Sequence, residues 1–139
     1  MPEQDHAPDS EREFDERLRA VAKIEGRYDL EAYRFIFDAL HFTISRLPEP
    51  RHVTAQELLD GIRDLAKKKF GFMARIVFQS WGVRRTGDFG EMVFGLVNYG
   101  LMGKTEEDSI EDFDEVYDFK KVFDDEYLKE LPQHVSIRT

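Results

Sequence analysis

Six of the nine glycines in this 139-residue chain fall between Phe70 and Met102, in the run FGFMARIVFQSWGVRRTGDFGEMVFGLVNYGLM, which also holds the single tryptophan. No other stretch limits the fold as strongly. Glycine stops helices because it enters the left-handed backbone region without a steric penalty, and Gly71, Gly82 and Gly100 each follow a segment of helical apolar spacing. The run therefore reads as two apolar helices joined by a short basic turn, Arg84-Arg85-Thr86-Gly87-Asp88. The first spans about Phe72 to Trp81, with Met73, Ile76, Val77, Ser80 and Trp81 on one side. The second spans about Gly87 to Tyr99, N-capped by Thr86 and buried through Phe89, Met92, Val93, Leu96 and Val97. Gly90 and Gly95 lie inside that helix, where each costs about 1 kcal/mol relative to alanine. Close backbone packing is the expected reason for both.

Upstream, Tyr33, Phe37, Leu40, Ile44 and Leu47 recur at spacings of three and four, opposite the polar stripe Glu31, Arg34, Asp38, His41 and Ser45. This predicts an amphipathic helix from Asp29 that Pro48 and Pro50 end. Phe35, Ile36, Ala39 and Phe42 widen its apolar arc, so it should be packed on more than one side. The next helix has a complete start signal: Thr54 as N-cap, Glu57 as its capping-box partner, and Val53 with Leu58 as a staple. It is expected over Ala55 to Lys69, buried through Leu58, Leu59, Ile62, Leu65, Ala66 and Phe70. Lys67, Lys68 and Lys69 fall in its last turn, where positive charge suits the helix dipole.

Residues 1–27 read as a charged leader whose first dozen residues are disordered, carrying a short helix with Phe14, Leu18, Val21 and Ile24. A helical domain over residues 28–123 and an acidic C-terminal helix or tail over 124–139 complete the division. Past Met102, Phe113, Glu115, Tyr117 and Phe119 alternate as in a half-buried strand, so a small β-hairpin near residues 101–119 is expected, Leu101–Lys104 against Asp114–Phe119. A last helix over Lys120 to Leu131 would end at Pro132.

Net charge divides sharply: −3 over residues 1–28, +2 over 29–104 and −8 over 105–139, for a total of −9. A solvated acidic tail is the simplest expectation. A tail folded back on the basic positions, or one that steers a partner, is the sharper one. With no cysteine there is no disulfide framework, thiolate zinc site or cysteine nucleophile. The N-terminus lacks the apolar core of a secretory signal and no run is long enough to span a bilayer, so the expected location is the cytoplasm.

Catalytic motifs do not assemble. Asp88-Phe89-Gly90 spells the kinase magnesium motif, but no glycine-rich loop or HRD sequence accompanies it. Asp108, Asp112, Asp114 and Asp118 lack the sixth-position glycine and spacing of an EF-hand loop, and His6, His41, His52 and His134 are scattered. No nucleophile elbow, P-loop or Rossmann fingerprint occurs, so catalytic residues, metal ligands and cofactor are each read as none. The candidate binding residues are Arg84, Arg85, Thr86 and Trp81, where two arginines, a helix start and a large aromatic converge in sequence, together with Lys67, Lys68 and Lys69. A phosphate, a carboxylate or an acidic partner segment could sit there.

A helix, a Trp-Gly-Val stop, a threonine-led turn, a second helix ending in Tyr-Gly-Leu-Met and a hairpin together resemble in part a winged helix-turn-helix. Counted from Gly82, however, Asp88 and Glu91 occupy positions that are buried and apolar in that family. The would-be recognition helix DFGEMVFGLVNY offers only Asn98 for reading a base edge. The motifs HVTAQELLDGIRDLA, FGFMA, WGVRRTGDFGEMVFGLV, GLMGKTEEDS and EDFDEVYDF are also similar to an uncharacterised family of short proteins from planctomycetes and verrucomicrobia, over about residues 29–123. That resemblance implies no activity. The reading is a mainly α, compact single domain of four to six helices with winged-helix-like features, acting as a non-enzymatic binding or regulatory module for another protein, with homo-oligomers an option. The alternatives are a winged-helix-like nucleic-acid binder whose acidic tail masks Arg84, Arg85 and the lysines, and an enzyme with an unrecognised site.

Overall fold

Thr54 and Glu57 set the start of one helix as their spacing requires: the Thr54 hydroxyl accepts from the Glu57 N–H at 3.1 Å and the Glu57 carboxylate from the Thr54 N–H at 2.9 Å. The computed structural model describes residues 7–103 and 109–130 of the chain, and it is mainly α. Its helices are α1 (Ala7–Glu25), α2 (Leu30–Ser45), α3 (Ala55–Phe70), α4 (Ala74–Ser80), α5 (Thr86–Asn98) and α6 (Glu126–Glu130). A 3₁₀ turn at Gly71–Met73 leads into α4, another spans Ile110–Phe113, and a π-helical turn at Lys120–Asp125 leads into α6.

The core gathers around α2, α3 and α5. Ala32, Ile36 and Ala39 of α2, Leu59, Ile62 and Ala66 of α3, and Phe89 and Leu96 of α5 are all fully buried. Phe78 of α4 is the centre of an aromatic set, with its ring 5.3 to 5.7 Å from those of Phe35, Trp81, Phe89, Phe119 and Phe123. Helix α1 belongs to the packed structure through Leu18 and Val21, and Phe14 meets the Phe37 ring edge-on at 5.0 Å. Asp15 of α1 accepts from Arg34 of α2 at 2.7 Å, and that guanidinium, aided by Arg19, holds its carboxyl below the usual range. The link between α1 and α2 is seated on the turn after α4: Asp29 N–H donates to the Trp81 carbonyl at 3.0 Å. Gly82 has φ +87, and a Cβ there would meet the Arg27 carbonyl at 2.8 Å, so glycine is required on both counts.

Three expectations are corrected. No β-strand occurs among the described residues, so the β-hairpin near residues 101–119 is absent; Lys104 lies outside them. The alternating aromatics of that segment instead serve a 3₁₀ turn and a loop, which bury Phe113 against α5 and Phe119 beside Phe78. Residues 109–130 are not a solvated tail, since Phe113, Phe119, Val122 and Phe123 are each 5% exposed or less. The segment also returns to basic positions, with Lys67 to Glu130 at 3.0 Å and Arg75 to Asp124 at 2.7 Å. Finally, α4 buries Ala74 and Phe78 while Ile76 and, in the preceding 3₁₀ turn, Met73 are exposed; with three residues per turn, Gly71–Met73 does not continue the 3.6-residue spacing from which the buried face is predicted.

Candidate functional site

The basic turn before α5 is organised by Asp88. One of its carboxylate oxygens accepts from the backbone N–H groups of Arg84 at 2.8 Å and Arg85 at 3.2 Å. The other accepts from the Tyr28 hydroxyl at 3.0 Å, and the Arg85 guanidinium lies 3.5 Å away. Asp88 thus has buried-charge partners on both oxygens, and the kinase-like tripeptide proves to be a helix-start device. Thr86 is not the N-cap. It is fully buried, its hydroxyl donates to the Phe113 carbonyl at 2.6 Å and accepts from the Val116 N–H at 3.1 Å, and so it staples residues 113–116 to α5. The Asp114 carboxylate stands 3.1 Å from where a Cβ on Gly87 would lie. Acids of the chain itself therefore crowd the helix start at which the sequence also allows an external anion.

The other candidate residues do not converge there. Trp81 is half-buried among Phe35, Phe70 and Phe78, with ring centroids 5.6 to 5.8 Å apart. The three lysines, about 100° apart on α3, engage three different groups. Lys67 pairs with Glu130, Lys69 reaches Asp38 at 3.6 Å, and Lys68 lies 5.8 Å from the Phe42 ring. Arg84 and Arg85 are exposed.

Sequence reasoning missed a polar groove where the α1–α2 link meets the outer side of α5. It has a volume of about 510 Å³ and is lined by Glu25, Arg27, Tyr28, Tyr33, Glu91 and Tyr99, among others. The Tyr28 hydroxyl sits between two carboxylates, 3.0 Å from Asp88 and 2.8 Å from Glu91, and Arg27 also donates to Glu91. Burial, reinforced by these two acids, drives the Tyr28 phenol well above its ordinary value. Spacing alone places Tyr33 among the apolar positions of the α2 stripe. Its hydroxyl was the available signal, since a buried tyrosine needs a partner for that group.

Two apolar features complete the surface. Phe72, Met73 and Ile76 are 65%, 41% and 53% exposed, and α6, packed beside the Gly71–Met73 turn, exposes Leu128 at 64%. A second hollow of about 510 Å³ lies between the end of α2, the start of α3 and α5, lined by Leu40, Ile44, Val93 and Val97. Arg51 at its edge is already held by both Glu57 oxygens, at 3.0 and 2.8 Å.

Among the described residues no group of three histidine, aspartate or glutamate side chains is placed to hold a metal ion. No helix among them is long and apolar enough to cross a membrane. Comparison of the chain with protein-family models, with curated proteins and with solved structures finds no match.

Proposed function

We propose that the protein is a non-enzymatic, cytoplasmic protein-binding module that docks its partner on the face formed by Phe72, Met73 and Ile76. The observation that carries this reading is the exposure of those three neighbouring side chains, with Leu128 on the adjacent helix. Scattered apolar residues are ordinary on a surface, whereas one short segment presenting three of them gives a partner a local anchor. Lys68 and Lys69 in the last turn of α3, both exposed, precede this face directly in the chain. The partner is therefore a protein segment with apolar anchors and acidic flanks. Arg84 and Arg85, exposed at the start of α5, are the second candidate contact for such acids.

Winged-helix-like nucleic-acid binding has less support. The helix that would enter the major groove, α5, buries Phe89, Met92, Val93 and Leu96 and is packed by α1, α2 and the Ile110–Phe113 turn. Membership of the planctomycete and verrucomicrobial family rests on the sequence motifs alone and would add no activity.

The test is affinity capture with quantitative mass spectrometry, comparing the parent chain with Phe72→Ser/Ile76→Ser and Lys68→Glu/Lys69→Glu. An Ile24→Ser control changes another exposed apolar residue. Loss of one defined partner in both double variants, but not in the control, supports the docking face. An unchanged partner set refutes it. If Arg84→Glu/Arg85→Glu alone abolishes capture, the basic turn replaces the apolar face as the contact.

A further inference from the structure

Tyr33 lies on the buried stripe of α2 with 1% of its surface exposed, yet its hydroxyl makes no hydrogen bond among the described residues. A buried hydroxyl without a partner carries an uncompensated desolvation penalty, and such a group in a folded chain calls for an explanation. Tyr33 lines the groove shared by α1, the α1–α2 link and α5. Burial lifts its hydroxyl to about 12, and Glu25, Tyr99 and Glu91 add to that rise, so the phenol stays protonated beside acidic neighbours.

The charges around the groove are unequal. Glu25 and Glu91 line it, while Asp88, behind Tyr28, already has the Arg85 guanidinium at 3.5 Å. Arg27 is bound to Glu91, and Arg17 donates to the Tyr99 backbone carbonyl at 3.2 Å rather than to an acid. Glu25 has no cationic partner among the described residues, and its contact is the Tyr99 hydroxyl at 3.4 Å. The single Tyr28 proton is shared between two carboxylates. Acceptors thus exceed donors, and the lining is rich in aromatic rings: Tyr28, Tyr33, Phe94 and Tyr99. Space is kept open at Gly95, where an added Cβ would meet only a Glu25 carboxylate oxygen, at 3.8 Å.

We propose that this groove is a binding site for an alkylammonium group, with Glu25 and Glu91 as its counter-charges, the Tyr33 hydroxyl as a hydrogen-bond acceptor, and the aromatic lining as its apolar surround. An organic cation fits better than a metal ion, because rings rather than converging oxygens make up much of the wall. An ammonium fits better than a guanidinium, because the acceptors come singly from separate elements instead of as a planar fork. The volume is in the range of small-ligand sites. A free aliphatic polyamine and the side chain of a lysine both carry this group. The site is independent of the docking face above.

Isothermal titration at low salt with spermidine, and separately with Nα-acetyl-lysine methylamide, tests the proposal and distinguishes the two sources. Saturable binding at one site per chain is expected for at least one probe. Tyr33→Phe should weaken it by about tenfold or more, as expected for loss of a hydrogen bond to a charged group. The same variant should melt at the parent temperature or higher, because the hydroxyl has no partner to lose within the fold. Gly95→Leu, which fills the groove, should abolish binding while helix content by circular dichroism is retained. Absence of saturable binding by both probes overturns the proposal. So does binding that is indifferent to both substitutions, which would be diffuse attraction to an acidic chain. A lowered melting temperature for Tyr33→Phe would likewise overturn it, by giving the hydroxyl a structural role.

Discussion

Gly90 and Gly95 occupy the same helix, and packing sets their fates apart. A Cβ on Gly90 would lie 2.6 Å from the Phe113 Cβ and 2.8 Å from its Cγ, so the 3₁₀ turn bearing Phe113 can approach α5 only because glycine is there. Gly95 has no such neighbour. Alanine at both positions gains the same helix propensity, about 1 kcal/mol, so the sign of each substitution is decided by space. Gly90→Ala should destabilise the protein by about 1 to 3 kcal/mol, the usual range for overpacking. Gly95→Ala should stabilise it by up to about 1 kcal/mol. Urea denaturation of the two variants measures both, and equal signs would mean that Phe113 does not rest on Gly90. The sequence showed two costly glycines and suggested one explanation for both. Only coordinates can tell which one faces a ring, because Phe113 lies more than twenty residues away in the chain.

Local chemistry explains which elements were legible. Helix α3 could be read because its start signal is complete within four residues, Thr54 to Glu57, and its apolar spacing is regular. Helix α2 was readable for the second of these reasons. Helix α4 was legible as a helix but not in its buried face, because a 3₁₀ turn precedes it. The segment after Met102 was not legible, since a 3₁₀ turn, a loop and a π-helical turn have no strong periodic pattern, and alternating Phe113, Glu115, Tyr117 and Phe119 imitates a strand. Tyr117 illustrates this: its hydroxyl donates to the Leu59 carbonyl of α3 at 2.6 Å, a contact that no spacing rule anticipates. The α3 cap also has a pH signature. Arg51, and after it the Thr54 N–H, hold the Glu57 carboxyl at about 2, against 4.5 ordinarily. A carboxyl depressed on folding contributes stability that is fully present above its unfolded value and is lost as pH falls. The contribution should therefore fade between about pH 4.5 and pH 2. Glu57→Gln should flatten the fall of melting temperature across that window and leave its shape above pH 5 unchanged. An unaltered slope would show that the carboxylate is not held in solution as it is here.

At the scale of the whole molecule, the acidic C-terminal region changes meaning. Counted as charge it resembles an appendage, but its aromatic residues are core. Phe123 is fully buried, 5.4 Å from both Phe78 and Phe119, and the nearby Arg75–Asp124 pair fastens the π-helical turn to α4. The charge count concealed this because acids lie between the buried positions, on the outer side of the same turns. The candidate site was hidden for a related reason: Tyr33, Glu25, Glu91 and Tyr99 come from three helices and the end of one of them, and no local motif joins them. Phe123→Ala should therefore cost roughly 3 to 5 kcal/mol, the range for emptying a buried aromatic site. Phe89→Ala should cost a similar amount, because both rings pack against Phe78. A chain ending at Gly103 should fail to unfold cooperatively, since it strips Phe78 of two of its ring neighbours, Phe119 and Phe123, and uncovers Gly90, on which Phe113 rests. For that reason a truncation cannot serve as a clean test of charge masking, whereas neutralising exposed acids on residues 109–130 can. A Phe123→Ala penalty below about 0.5 kcal/mol in urea denaturation, the scale of ordinary surface substitutions, would return the C-terminal segment to the status of a tail.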